Sequence, residues 1–232
     1  MTMQQFFDFP VTPSYRFDSF VPCEGNAAAL SFAMRIVDPA DRENLLYLYG
    51  PSGSGKTHLL KSIASDIIPY LSLREPTAPD VLVSIFNGAV GLVVDDLDEM
   101  PDDSGLKGAL WQLFNEFHTS GRTIAMAGLH PPRELTTLDE HLTSRLLWGL
   151  VARLDTSDDH SRRMILKKVA EDRQIRVPDD VVEYILATAS REIADLIACF
   201  NQLYRFSMTE KRRITLPLAR EVRELVIAGR IV

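Results

Sequence analysis

The chain has 232 residues, of which 46% are hydrophobic, and a formal net charge of −7. That length suits one medium domain, or a domain with a small satellite, and that hydrophobicity supports a buried core and excludes global disorder. The acidic balance argues against a large non-specific duplex-binding surface and leaves a local basic patch open.

No stretch approaches the ~20 apolar residues of a membrane span. The start, Met1 to Asp8, lacks the basic and apolar regions of a secretory signal. Cys23 and Cys199 lie far apart and read as small packing residues, so a reducing cytoplasm is expected. The histidines at 58, 118, 130, 141 and 160 show no metal-ligand spacing.

Residues 1–22 are rich in aromatics and prolines and read as an extended arm. Tyr15, Phe17 and Phe20 are expected to pack on the chain's own core or near a bound base. Gly25 to Val37 carries apolar residues at helical spacing. Leu45 to Tyr49 reads as a buried strand, followed by a Gly-rich turn and a helix to about Ile68. Val90–Val94, Thr123–Ala127 and Leu150–Leu154 read as three further strands, with a helix over Ala109–His118 between them. Pro131-Pro132 opens a helix or loop. After Thr156 strand signals stop. Ser157-Asp158-Asp159 caps a helix to about Arg173, Pro178 opens one to about Thr188, Ser190 caps one over Arg191–Met208, and Thr215 opens one to about Ala228. The predicted organisation is an arm (1–22), an α/β base with a parallel sheet (23–155) and a helical lid (156–232).

The turn after the first strand is Gly50-Pro51-Ser52-Gly53-Ser54-Gly55-Lys56-Thr57, which fits the phosphate loop G-x-x-x-x-G-K-S/T in its required strand–loop–helix context. Glycines let successive N–H groups point at one anion, and the helix start adds partial positive charge. Lys56 would bridge the β- and γ-phosphates, Thr57 would hold Mg²⁺ through its hydroxyl, and His58 extends the nucleotide-contacting run. Leu92-Val93-Val94-Asp95-Asp96 is an apolar strand ending in two acids. Beside a phosphate loop, Asp95 reads as the Mg²⁺ partner and Asp96 as the carboxylate that polarises an attacking water. Asp98 and Glu99 read as a solvated acidic loop. The basic pairs Arg162-Arg163, Lys167-Lys168 and Lys211-Arg212-Arg213 read as solvated helix faces.

With His130-Pro131-Pro132-Arg133-Glu134-Leu135, Leu142-Thr143-Ser144-Arg145 and Ser190-Arg191-Glu192-Ile193, the chain resembles the DnaA family of AAA+ proteins, the bacterial replication initiators and their short relatives. The first two runs resemble the family's R-P-P-x-x-L and L-x-S-R-F/L-x-x-G-L segments, and the third its sensor-2 helix. The resemblance covers roughly residues 15–228 and implies an AAA+ base and lid binding ATP or ADP with Mg²⁺. It makes Arg145 an arginine finger for a neighbouring subunit's γ-phosphate, and Arg191 a contact to the same subunit's nucleotide. The alternative for Arg145 is a surface arginine in an ion pair, and for Arg191 an exposed helix residue.

Three departures matter. Where relatives end a strand in a polar sensor-1 residue, this chain has Met126-Ala127-Gly128-Leu129, so weak or absent intrinsic hydrolysis is expected. The span from Thr57 to Asp95 is short, with little room for the extra helices with which initiators grip DNA. The end at Val232, just after the lid, leads to the expectation that the initiator's C-terminal helix-turn-helix domain is missing, and its N-terminal helicase-contacting domain is expected to be missing too. This layout resembles the Hda type of DnaA-related regulator, which begins with a clamp-binding peptide of Q-L-x-L-x-L character. Gln4-Gln5-Phe6-Phe7-Asp8-Phe9-Pro10 has that register, with Gln5 in place of Leu, and the alternative is that Phe6, Phe7 and Phe9 pack on the chain's own core. The implied partners are the DnaA initiator and the DNA polymerase sliding clamp, with self-association open. The implied function is regulation of replication initiation by stimulating ATP hydrolysis on DnaA in trans. A helicase-loader-like or other DNA-remodelling ATPase is the alternative.

Overall fold

The structure is a computed structural model, and it describes residues 15–229. The predicted clamp-binding segment, Gln4 to Pro10, lies outside the described residues. Five parallel strands form one sheet: β1 (Leu45–Tyr49), β2 (Tyr70–Ser72), β3 (Gly91–Asp95), β4 (Thr123–Gly128) and β5 (Leu150–Arg153), in the order β2-β3-β4-β1-β5.

Alternation along the strands builds two cores. On β1, Leu45 and Tyr47 face one side, Leu46 and Leu48 the other. The first side packs against α3 (Pro79–Phe86), α4 (Ser104–Thr119) and α5 (Glu140–Leu146), through Phe86, Leu110, Phe114, Phe117 and Leu142. The second packs against α1 (Ala27–Arg35) and α2 (Lys56–Ile63). There β4 presents Ala125 and Ala127, and these small side chains let α2 approach the sheet closely. The chain leaves β1 towards one edge by way of α2, and leaves β4 towards the other by way of α5 on the opposite face. The C-terminal ends of β1 and β4 therefore flank a crevice, the place where such sheets bind ligands.

Several expectations change. The helix after the Gly-rich turn stops at Ile63 rather than near Ile68, because Ala64 is extended and Ser65 bridges Ile68 in a tight turn. A fifth strand, β2, follows. With three half-buried residues at the sheet edge it is too short to show a period. The span from Thr57 to Asp95 holds that strand and α3 in addition to the remainder of α2. α4 begins earlier than expected, because the Asp103 carboxylate accepts from the Leu106 N–H and caps it.

After β5 come α6 (Asp159–Asp172), α7 (Asp179–Thr188), α8 (Ile193–Glu210) and α9 (Leu216–Ile227), around a separate core that includes Leu166, Val181, Leu196, Phe200 and Leu218. Asp158 and Thr215 cap α6 and α9 through side-chain oxygens. α8 starts at Ile193 with Glu192 before it, so Arg191 lies in the turn outside the helix. Ser190 explains the delay: its hydroxyl donates to Asp195 and accepts from the Glu192 N–H, which holds the turn open. Arg162, expected on a solvated face, is buried and donates to the Ser190 carbonyl at 2.6 Å. Arg163 and Lys167 do lie nearer the surface, in ion pairs with Glu183 and Asp179. Among the described residues no helix is long and apolar enough to cross a membrane.

Candidate functional site

The loop between β1 and α2 turns on three left-handed glycines, Gly50 (φ 150°), Gly53 (φ 75°) and Gly55 (φ 103°). No side chain among the described residues caps α2, so the N–H groups of its first turn face outward as anion donors. The Ser54 hydroxyl is buried with no hydrogen-bond partner among the described residues, although it lines a cavity. A buried orphan at a loop of this shape fits an absent phosphate oxygen.

Lys56 is 7% exposed and folds back on the loop, donating to the Gly50 carbonyl at 2.7 Å and the Pro51 carbonyl at 2.9 Å. Burial lowers its pKa, a cost that a bound polyanion would offset. The Thr57 hydroxyl donates to Asp95 at 2.6 Å, and the Tyr70 hydroxyl donates to the same oxygen at 3.0 Å. Thr57 and Asp95 are thus adjacent oxygen donors of the kind a hard divalent cation takes.

Asp95 is fully buried, and burial raises its pKa against the pull of its hydrogen bonds. The folded chain therefore holds this proton more tightly than the unfolded chain. The stability this site contributes is fully present below the unfolded pKa and is lost as pH rises through the folded one. Asp95→Asn should raise the melting temperature of the ligand-free protein at pH 7, with the gain vanishing near pH ~3. The same variant should lose any extra melting-temperature increase that Mg²⁺ gives in the presence of ATP. A thermal scan across pH, with and without Mg²⁺ and ATP, checks both halves, and an unchanged or lower melting temperature at pH 7 contradicts the first.

Asp96 adopts a left-handed conformation (φ 58°) that turns its carboxylate towards the edge strand. It accepts from the Ser72 hydroxyl at 2.6 Å and from Arg74 at 3.1 Å. Asp98 is not a solvated loop acid: its carboxylate docks on the end of β4 and accepts from the Leu129 N–H. A Cβ on Gly128 would stand 2.5 Å from that carboxylate, so glycine is what admits it. Leu129 itself is 39% exposed and offers no polar side chain.

The cavity has a volume of about 540 Å³ and lies between the loop and the helices that follow β5. Its loop wall is Gly53 to His58, while Gly50, Pro51 and Ser52 lie outside its lining. α8 starts directly against the loop, where a Cβ on Gly53 would be 2.7 Å from the Ala194 nitrogen. The residue runs before and after the strands also contribute Tyr15, Phe20 and Asn26 on one side, and Ile165, Lys168, Asp172 and Arg173 of the α6 segment on the other. Lys168, expected on a solvated face, lines the cavity and pairs with Asp172 at 2.9 Å. Ile165, Val169 and Asp172 recur at helical spacing, and the first two pack against the helices' own core while also lining the cavity. Phe20 is buried, and His58 meets Tyr15 and Phe20 edge-on at 5.4 and 5.3 Å. His58 Nε2 also lies 3.0 Å from the Arg16 carbonyl, and burial lowers the ring's pKa. His58 therefore anchors the arm across the loop helix. Arg191 is exposed and outside the cavity lining.

Arg145 stands elsewhere. It is near the end of α5, and the short turn through Gly149 leads into β5. Gly149 lies against the start of β1, where its Cβ would meet the Leu45 carbonyl at 2.3 Å. The phosphate loop leaves the other end of β1, about 16 Å away along the strand. The guanidinium carbon lies over the Trp111 ring at 4.3 Å and the Trp148 ring at 5.2 Å, and no acceptor among the described residues takes its N–H groups. The surface ion pair, the alternative reading of Arg145, does not form among the described residues.

The family model for the bacterial DnaA ATPase domain matches residues 11–74 and 84–153. The chain belongs to the bacterial DnaA ATPase family. The model for the Hda lid domain matches residues 159–222, so a DnaA-type base precedes an Hda-type lid. The chromosomal replication initiator DnaA of Pelobacter propionicus is 31% identical over 95% of this chain and 53% of its own length. The chain thus spans about half the length of such curated relatives. Domain III of Thermotoga maritima DnaA superposes with a TM-score of 0.80 at 26% identity, covering 92% of this chain and 97% of that one. AMPPCP-bound DnaA from Aquifex aeolicus superposes with a TM-score of 0.68 at 22% identity, over 84% of this chain and 67% of that one. These likenesses place this DnaA-type chain in the AAA+ P-loop fold with a helical lid.

Proposed function

We propose that this chain is an adenine-nucleotide-binding AAA+ regulator of replication initiation that stimulates ATP hydrolysis by DnaA in trans, together with the sliding clamp. The observation that carries the reading is the position of Arg145. It stands at the end of the sheet opposite the chain's own phosphate loop, with no acceptor for its guanidinium among the described residues. An arginine so placed serves a phosphate on another subunit, and its planar fork suits phosphate oxygens. The Hda-type lid supports a regulator over an initiator.

On this reading the chain holds ATP or ADP between the Gly50–Thr57 loop and the helices after β5. Lys56 meets the β- and γ-phosphates, the loop and first-turn N–H groups cradle them, and Thr57 with Asp95 holds Mg²⁺. The bound ion would supply charge neutralisation between the phosphates. The AMPPCP carried by a DnaA of this fold agrees with an adenine nucleotide. The chain's own turnover is slow: Asp96 is tied to Ser72 and Arg74, and Leu129 cannot orient a water. Arg191, in the turn before α8, would swing towards the phosphates when the lid closes. The segment Gln4–Pro10 would dock on the clamp.

The test is single-turnover hydrolysis of ATP pre-bound to the same organism's DnaA, with and without this chain and DNA-loaded clamp. Clamp-dependent acceleration is expected. No acceleration by a chain that demonstrably holds nucleotide overturns the regulator reading and favours the helicase-loader alternative.

A further inference from the structure

The chain has two tryptophans, and both stand at Arg145. Trp111 comes from the middle of α4 and Trp148 from the turn after α5, so only the packing of α5 on α4 brings them together. Each ring is backed by a histidine, His141 at 6.1 Å from Trp111 and His118 at 5.5 Å from Trp148. His118 in turn stacks on the buried Phe114 at 5.7 Å. Trp148 is nevertheless 61% exposed, with Leu147 beside it 39% exposed.

We propose that Trp111 and Trp148 are positioning residues for Arg145. They hold the guanidinium in place by cation–π attraction and leave its N–H donors for phosphate oxygens of a nucleoside triphosphate on a docked DnaA subunit. This rests on the reading of Arg145 given above. The physical reason lies in what each kind of partner consumes. A carboxylate would fix the arginine equally well, but it would occupy the N–H donors and cancel the charge, and docking would have to break that pair. An aromatic face attracts the cation and uses none of its donors. Ordering the long side chain before docking also removes part of the entropic cost of association. The exposed Trp148 ring gives the docked partner an apolar anchor of the kind that dominates interfaces.

Two measurements test this, and the first needs no partner. With both tryptophans at Arg145, Arg145→Met should change the intrinsic emission spectrum of the free protein, and Trp111→Phe and Trp148→Phe assign the change to each ring. An unchanged spectrum and unchanged acrylamide quenching overturn the cage. The second is the DnaA single-turnover assay. Trp148→Ala should lower the plateau rate at saturating chain about tenfold, equal to ~1.4 kcal/mol, and Trp148→Phe should restore most of it. Nucleotide binding by the variant reports that it is folded. A full plateau rate for Trp148→Ala, or a change confined to the half-saturating concentration, overturns the positioning role. If the wild-type chain gives no acceleration, the function reading fails by itself, and the emission spectrum still decides the cage.

Discussion

Arg145→Ala is expected to lower the chain's stimulation of DnaA-bound ATP hydrolysis by ~10³-fold or more, the scale of an arginine finger supplied from another subunit. The loss should appear with this chain's own nucleotide affinity intact, because Arg145 and the phosphate loop lie at opposite ends of β1 and β5. Arg145→Lys should recover little, since an ammonium offers a point charge where the guanidinium offers a planar fork. The rate is measured at saturating chain, so that weaker docking is not mistaken for weaker chemistry. Stimulation by Arg145→Ala within a few-fold of wild type would falsify the in-trans role, whatever the affinity of the complex.

Lys56→Ala is the second large effect, and it strikes the other end of the molecule. The ammonium is buried among loop carbonyls with Asp95 nearby, and burial already lowers its pKa. Removing it takes away the positive charge that opposes the phosphates and leaves the Gly50 and Pro51 carbonyls without their donor. Adenine-nucleotide affinity should fall about 100-fold, since one charge-assisted contact is worth up to ~3 kcal/mol. Equilibrium titration with ATP and Mg²⁺ measures it. An affinity within threefold of wild type would mean that nucleotide does not sit on this loop. The pair of variants also separates the two sites: Lys56→Ala acts on what the chain holds, Arg145→Ala on what it does to a neighbour.

The sequence by itself determined the elements whose signals are local. The phosphate loop was legible because its glycines, Lys56 and Thr57 are contiguous and sit between an apolar strand and a helix. β1, β3, β4 and β5 were legible as short apolar runs, and α6, α7 and α9 by their opening residues, because burial period and capping act within a few residues. β2 escaped because three half-buried edge residues carry no period. The start of α8 was misplaced because Ser190 engages Asp195 instead of closing the first turn.

Tertiary structure alone decided what depends on residues far apart in the chain meeting one another. It docked Asp98 on the end of β4, where a glycine leaves room, and it tied Asp96 to Ser72 and Arg74. It also aimed Lys168 and Asp172 at the cavity and set Arg145 between two tryptophans. Periodicity reports which face of an element is apolar and is silent on which element it will meet. The partners of Arg145 follow from the packing of α5 beside α4, an arrangement set by side-chain interlock across the core rather than by any run of adjacent residues.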